Sequence, residues 1–465
     1  MKLAVAVPVI GALPRIAFAA AYEPPVKVPP SKALPPDLVK GENFEVVGEV
    51  TVQGFSDRYV LSTPYTAYDV VTRDLLQKRI AETRAIGELL KVKQTDAFKA
   101  GFAAALKSPY KGVKALVTNP IETIKGVPTA LWKFGRRIGE MFSGGRGKQE
   151  DTYGSELLGF SAVKRKIAYK LGVDVYSDNE KLQHEIDDVA YAGFAGGLAF
   201  KLAMIPVALP GSVGYTLDAI KFTRRANQIL RDMAPEDLRI RNRKALEAMW
   251  ATKDECDAFM DNPYFTPRHE TIIALALEGM DGVENREGVV RRASRVDSAL
   301  AAQLMQRSIE MTRSYHATVR PLTRIEELGT DLAFVTRDQG IAMAVPADHL
   351  LWTGWFDGAT RAIAAFPAPG IRWRGVVVAG DLSRLARRQA TSRGLLVESN
   401  TRDHLLPKEE WTPPEGGLEL DDEGGQGDRK QGKTPPDQVP MTDPLPGDPG
   451  TGPEWKSPPP DKGDI

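Results

Sequence analysis

The chain holds a single cysteine, Cys256, among its 465 residues. One thiol excludes an internal disulfide and any zinc site built on cysteine ligands. It stands between Glu255 and Asp257, whose charges disfavour a thiolate, so a structural or incidental role is expected. Histidine is scarce too. The five, His184, His269, His316, His349 and His404, are scattered, and none has a second imidazole four residues away to share a helix face around a metal. His269-Glu270 opens like a zincin motif, but Ile273 and Ala274 follow where the second histidine is needed. There is no G-x-S-x-G nucleophile elbow. Ser143-Gly-Gly-Arg-Gly-Lys148 fails as a P-loop, because no glycine precedes Gly147 by five and Gln149 replaces the serine or threonine. No catalytic, cofactor-binding or metal residues are therefore assigned from sequence, and no cofactor is expected.

Net charge is also absent, with 61 Lys and Arg against 61 Asp and Glu. The balance hides a polarised chain. Residues 407–465 contain 13 Pro, 10 Gly and 14 Asp or Glu against 6 Lys or Arg, a net of −8, so the preceding residues carry +8. Such a segment cannot offset its ordering entropy, and a disordered Pro/Gly/acidic tail is expected there. Much of the opposing charge lies in Val71–Glu150, with 16 basic and 7 acidic residues. A solvated basic face is the ordinary reading; an anionic membrane surface, or the acidic tail itself, is the sharper one. Aromatic residues are not interleaved there as stacking platforms, so no nucleic acid is expected.

The first 21 residues begin with Lys2, run through an apolar stretch and reach the A-x-A pattern Ala17-Phe18-Ala19. They read as a signal peptide, interrupted by Pro8, Pro14 and Arg15, and predict a periplasmic or secreted protein, with a cytoplasmic one as the alternative. The proline pairs at 24–25, 29–30 and 35–36 make residues 22–40 an extended arm. A second apolar stretch, Val189–Leu217, has one charge, Lys201, and the small-residue spacing Gly193-x-x-x-Gly197. Pro206 and Pro210 break it, which favours a packed core helix over a membrane span.

Phe44, Val46, Val50, Val52, Tyr59 and Leu61 approximate a period of two around Gly54 and predict a strand pair. After Pro64 the period lengthens, and Val70 to Leu90 reads as a helix. Ala97–Phe142 reads as short helices punctuated by Pro109, Pro120 and Pro128. Beyond the polar gap Ser143–Tyr153, helical blocks run to Thr318. Leu332–Thr336 and Ile341–Pro346 flank a turn and predict a hairpin. Gly375–Gly380, a helix capped by Asp381 or Ser383, and Gly394–Ser399 predict a βαβ unit. The expected fold is mainly α, with an N-terminal β-hairpin, a small C-terminal α/β domain (βαβ plus hairpin) and a disordered tail. Its parts are 1–21 signal peptide, 22–40 arm, 41–320 helical body, 321–406 α/β domain and 407–465 tail.

Asn119-Pro-Ile-Glu-Thr-Ile-Lys-Gly126 resembles a segment found in non-catalytic parts of large secreted bacterial toxins. Leu171-Gly-Val-Asp-Val-Tyr-Ser-Asp-Asn179, with Leu182, Gln183, Glu185, Asp187 and Phe194-Ala-Gly-Gly197, resembles uncharacterised exported bacterial proteins, as does the segment near Val376–Arg388. That resemblance implies export and brings no catalytic residue.

Four places remain to be weighed for chemistry. His184 with Glu185, Asp187 and Asp188 is the densest group of metal-ligand types, and reads first as an ordinary helix surface. The strand-to-helix junction Gly380-Asp-Leu-Ser-Arg384 offers free N–H groups to an anion, though Asp381 opposes one. Trp352, Trp355 and Trp373 with Phe356 and Phe366 read as core before groove. His349 beside Asp348 is solitary in the sequence. The expectation that follows is an exported, non-enzymatic binding or scaffold protein with a protein partner. The alternatives are an enzyme whose site assembles near His316, His349 or Gly380, and a membrane-surface protein using the basic segment.

Overall fold

The computed structural model describes residues 22–107, 150–196, 217–367 and 369–407. The leader, the part of Ala97–Phe142 beyond Lys107, with Asn119–Gly126, the start of the Ser143–Tyr153 gap, the later part of Val189–Leu217 and the tail after Pro407 lie outside the described residues.

The N-terminal part is a sheet. Val26–Val28 (β1) leads through two helical turns, Pro30–Ala33 (α1) and Pro36–Val39 (α2), to Lys40–Gly41 (β2), Phe44–Val52 (β3), Asp57–Ser62 (β4) and Ala67–Val71 (β5). The order is β1-β3-β4-β5 with β2 also on β3, and every pairing is antiparallel. Alternation sends Phe44, Val46, Val50, Tyr59, Leu61 and Val70 to one face. That face closes over Leu76 and Ile80 of the helix Arg73–Gln94 (α3). Burying each of those side chains contributes about 1.5–3 kcal/mol.

α3, Asp96–Leu106 (α4), Glu150–Leu171 (α5) and Glu180–Gly196 (α6) share a second core around Ile86, Leu89, Ile167, Leu182 and Ile186. Leu217–Asp232 (α7), Pro235–Glu247 (α8), Lys253–Met260 (α9), Pro267–Glu278 (α10), Glu287–Ala293 (α11) and Ala299–Thr318 (α12) follow. Among the described residues no helix is long and apolar enough to cross a membrane.

The C-terminal part is Leu322–Leu328 (β6), Asp331–Thr336 (β7), Gly340–Val345 (β8), His349–Leu350 (β9), Gly354–Ala364 (α13), Trp373–Val378 (β10), Asp381–Leu382 (β11), Arg384–Ser392 (α14), Leu395–Glu398 (β12) and Arg402–Leu405 (α15). Its main sheet has the order β12-β10-β8-β7-β6. β8, β10 and β12 are parallel; β6 and β7 are antiparallel additions. Every residue of β8 is buried, as a strand covered on both faces requires. Phe334, Ala342, Ala344 and Val377 face the helical core that includes Ile309 and Tyr315 of α12. Val335, Ile341, Met343, Val376 and Val378 face α13 and α14.

These observations correct the expected fold. The chain is not a mainly helical body with a hairpin at one end and a small α/β domain at the other. The N-terminal hairpin is the middle of a five-stranded sheet, and the C-terminal βαβ and hairpin are parts of one five-stranded mixed sheet. The reason is tertiary. The second sheet buries one face in the same core as α7–α12 and the other against α13 and α14, so the helical body and the C-terminal sheet share a core. β1, β5 and β6 each bury few side chains and are held chiefly by pairing with stronger neighbours. The tail in that expectation lies outside the described residues.

Candidate functional site

Two backbone approaches bring distant segments together. The tip of the β3–β4 hairpin docks on the segment after β8: Leu351 N–H donates to Gly54 O at 3.0 Å and Asp348 N–H to Phe55 O at 3.2 Å. Gly54 makes this possible with φ +98, and a Cβ there would meet the Thr353 methyl at 2.5 Å. At the end of β10, Gly380 N–H donates to Ala347 O at 2.8 Å. A Cβ on Gly380 would lie 1.8 Å from the Asp348 carbonyl oxygen. Both contacts act at the carboxyl ends of the parallel strands β8 and β10, where open α/β sheets place their ligands.

The hairpin delivers Asp57 to His349. Asp57 Oδ2 lies 2.5 Å from His349 Nδ1 and accepts from the Tyr59 hydroxyl at 3.2 Å. Asp57 is fully buried, whereas the His349 side chain is 33% exposed, so the imidazole stands between a buried carboxylate and solvent. Asp57 Oδ1 is buried with no hydrogen-bond partner among the described residues. The Asp57 hydrogen bond raises the pKa of His349, against the opposing effect of burial.

Behind the pair lies a network of buried charge. Asp348 Oδ2 accepts from the Arg73 N–H at 2.9 Å and Asp57 N–H at 3.4 Å. Arg402 bridges Asp348 at 2.7 Å and Asp74 at 2.5 Å. Arg307 contacts Asp74 at 3.3 Å and Glu310 at 2.6 Å, and donates to the Pro407 carbonyl at 3.0 Å. Four carboxyl groups, Asp57, Asp74, Asp348 and Glu310, thus face two guanidinium groups and one imidazole. Burial of so many acids together favours a proton on one of them. Burial, with Asp57 and Asp74 adding to it, pushes the Asp348 carboxyl up to about 6 despite Arg402. Burial also acts on Asp74, but Arg307 and Arg402 outweigh it and hold that carboxyl below its usual range.

The backbone is strained at the same place. Thr72, between β5 and α3, has φ 81, a region β-branched residues avoid. Its hydroxyl caps α3 by accepting from Leu75 N–H at 3.2 Å, and its own N–H donates to Asp57 O at 2.9 Å. The turn aims Arg73 N–H and Asp74 into the network.

Of the places weighed from sequence, the structure unites His349, Asp348 and the Gly380 junction. The others lie apart. The Gly380–Arg384 junction already has its anion: Glu23 Oε2 accepts from the Ser383 hydroxyl and from Trp352 N–H at 2.6 Å. His316 Nδ1 accepts from Leu322 N–H at 3.0 Å, and His269 Nδ1 from Thr266 N–H at 3.1 Å; His404 is exposed on α15. His184, Glu185 and Asp188 do gather within 4.8 Å, but Lys93 ion-pairs with both carboxylates. Trp352 is in the core and packs with Phe356, which stacks on Trp355; the Trp355 and Trp373 indole N–H groups donate to Asp331 and Asp338. Cys256 is buried, and burial with Glu247 pushes its thiol up to about 11. In the described part of the basic segment, Lys78, Arg79, Lys91, Lys93 and Lys99 all pair with carboxylates.

The sequence does not single out Asp57, Asp74, Arg307 or Arg402, since each has the look of an ordinary turn or helix-surface charge. The one available signal is Asp348-His349 immediately after a wholly apolar strand. No family model, curated protein or solved structure matches the chain.

Proposed function

We propose that the chain is an enzyme whose proton-transfer group is His349, with Asp57 as its positioning residue. The observation that supports this is the Asp57–His349 pair itself: Nδ1 is held by a buried carboxylate and the ring is open to solvent at the ends of parallel strands. In this reading His349 Nε2 takes a proton from a bound water as its oxygen attacks an electrophilic centre, and returns that proton to the leaving group. Asp57 fixes the tautomer and stabilises the imidazolium; the buried arginines hold the acids in place and do not touch substrate. The test is a panel of chromogenic carboxylic esters, phosphodiesters and glycosides, with His349→Gln beside the native chain. Turnover of one class, lowered about 10²–10⁴-fold by the substitution, is expected. No turnover in any class, or an unchanged rate in His349→Gln, counts against it.

A second reading, a non-enzymatic binding or scaffold protein, is favoured by a different observation. Among the described residues no hydroxyl or thiol hydrogen-bonds His349, whose partner there is Asp57, so the described part of the site offers no side-chain nucleophile. The same panel separates the two. Export belongs to either reading through the leader-like residues 1–21. It predicts that protein recovered outside the cytoplasm starts within a few residues of Ala19, and a chain retained whole in the cytoplasm would contradict it.

A further inference from the structure

The five-stranded mixed sheet has two unlike edges. The β6 edge is closed by residues 284–285: Glu284 N–H donates to Thr323 O and Ile325 N–H to Glu284 O, each at 2.9 Å, and Asn285 Nδ2 donates to Ile325 O at 2.8 Å. At the other edge, β12 bonds through its backbone to β10 alone among the described residues. Its outer row of N–H and C=O groups is open to a further strand.

The two faces beside that edge differ in chemistry. Leu395 and Val397 pack in the core that holds Ala386 and Ala390 of α14. Leu396 points to the opposite face and is 55% exposed. It stands beside Gly375 of β10, where a Cβ would meet Leu396 Cβ at 3.5 Å and the Trp373 ring at 3.4 Å, so the missing side chain leaves an apolar shelf. On the other face α14 carries Arg384, Arg387 and Arg388 and no acid. Arg387 reaches Asp381 at 3.7 Å, and Arg393 after the helix pairs with Asp357. Arg384 and Arg388 are exposed and have no acidic partner among the described residues.

We propose that this edge is the docking site of the chain's own segment Leu418–Asp422, which adds beside β12 as a further strand. Leu418-Glu-Leu-Asp-Asp422 is the one stretch after Pro407 where two large apolar residues alternate without a proline between them. In a strand its leucines share one face, and Glu419 and Asp421 the other. That matches Leu396 on one side of the edge and the α14 arginines on the opposite side. Residues 408–422 hold six acids against Lys408 alone, which suits a basic helix. The same arginines oppose a second copy's β12 at this edge, because a symmetric pairing brings like charges together.

The tether is long enough. The Pro407 carbonyl accepts from Arg307, and the hydroxyl of the next residue, Ser308, donates to Ala344 O of β8 at 2.9 Å, so the chain leaves the sheet near β8. From β8 to a strand beyond β12 is three strand spacings, or ~14–15 Å. The ten residues 408–417 reach up to ~33–36 Å. Strand addition draws its affinity from main-chain bonds, and the tether holds the segment at a roughly millimolar effective concentration. The proposal does not depend on the His349 reading, because the edge shares no residue with that site.

The experiment is hydrogen exchange by mass spectrometry on the full chain, read over peptides covering 395–399 and 417–422. Both should exchange at least ~10-fold more slowly than in Leu420→Pro, which removes an N–H and breaks the added strand without touching the folded body. Arg384→Glu, which suits the first turn of a helix, combined with Arg388→Glu should speed both segments in the same way. Segment 417–422 exchanging at the rate of an unstructured peptide in the native chain, or exchange at 395–399 left unchanged in either variant, would overturn the proposal. Protection of 395–399 that falls on dilution of the protein would also overturn it, in favour of a second copy at this edge.

Discussion

Asp57 Oδ2 and His349 Nδ1 are 2.5 Å apart, although 292 positions separate them in the chain. The contact joins the two sheets, and it does so with a fully buried acid. Among the described residues, removing the imidazole leaves the Asp57 carboxylate with the Tyr59 hydroxyl as its one side-chain partner, so His349→Gln should cost about 1–3 kcal/mol. The pH dependence has a definite sign. The pKa of His349 is raised in the fold, so its contribution is complete below its ordinary pKa of about 6.5 and is lost as pH rises through the higher folded value. Urea denaturation should therefore show a larger difference between native chain and variant at pH 6 than at pH 9.

Arg402 is the counter-ion that Asp74 and Asp348 share. Arg402→Met would leave those acids buried, Asp74 keeping its ion pair with Arg307 and Asp348 losing its own, and about 3–5 kcal/mol should be lost. Asp348 titrates near 6, above its ordinary value, so it holds a proton at low pH and tolerates the loss better. The cost of Arg402→Met should accordingly be greater at pH 8 than at pH 5, again by urea denaturation.

Gly380→Ala tests the backbone approach. The added methyl would sit 1.8 Å from the Asp348 carbonyl, and neither backbone can yield without moving β9 against β11. A loss of about 1–3 kcal/mol or more is expected, measured by thermal or urea unfolding.

Glu270 lies in the helical core, with Oε1 lacking a hydrogen-bond partner among the described residues, and burial pushes its carboxyl well above the usual range. An acid whose pKa is raised by folding contributes stability below its unfolded pKa and loses it as pH rises. Glu270→Gln removes that loss. Relative to the native chain, the variant should gain stability from pH 5 to pH 8; an unchanged difference would contradict the burial account.

What the sequence made legible follows from how local each signal is. Alternation at Phe44–Leu61 reports its own burial, and Ser383 caps its own helix, so both can be read residue by residue. β6 buries only Leu322 and Ile325, a spacing of three that carries no strand period, and β1 sits among prolines; both depend on partners far along the chain. The site is less legible still. His349 and Gly380 belong to segments the sequence marks, but Asp57 reads as a turn residue after Gly54 and Arg402 as an ordinary charge near the chain's acidic end. No spacing rule links them, because their meeting is decided by where a hairpin tip lands on another sheet.

The central claim concerns the proton on His349, and an NMR titration of its imidazole Cε1–H in the native chain and in Asp57→Asn tests it most directly. The account predicts a native pKa above about 6.5 that falls in the variant as the carboxylate is lost. A native value at or below 6.5, or one that Asp57→Asn leaves unchanged, would contradict it.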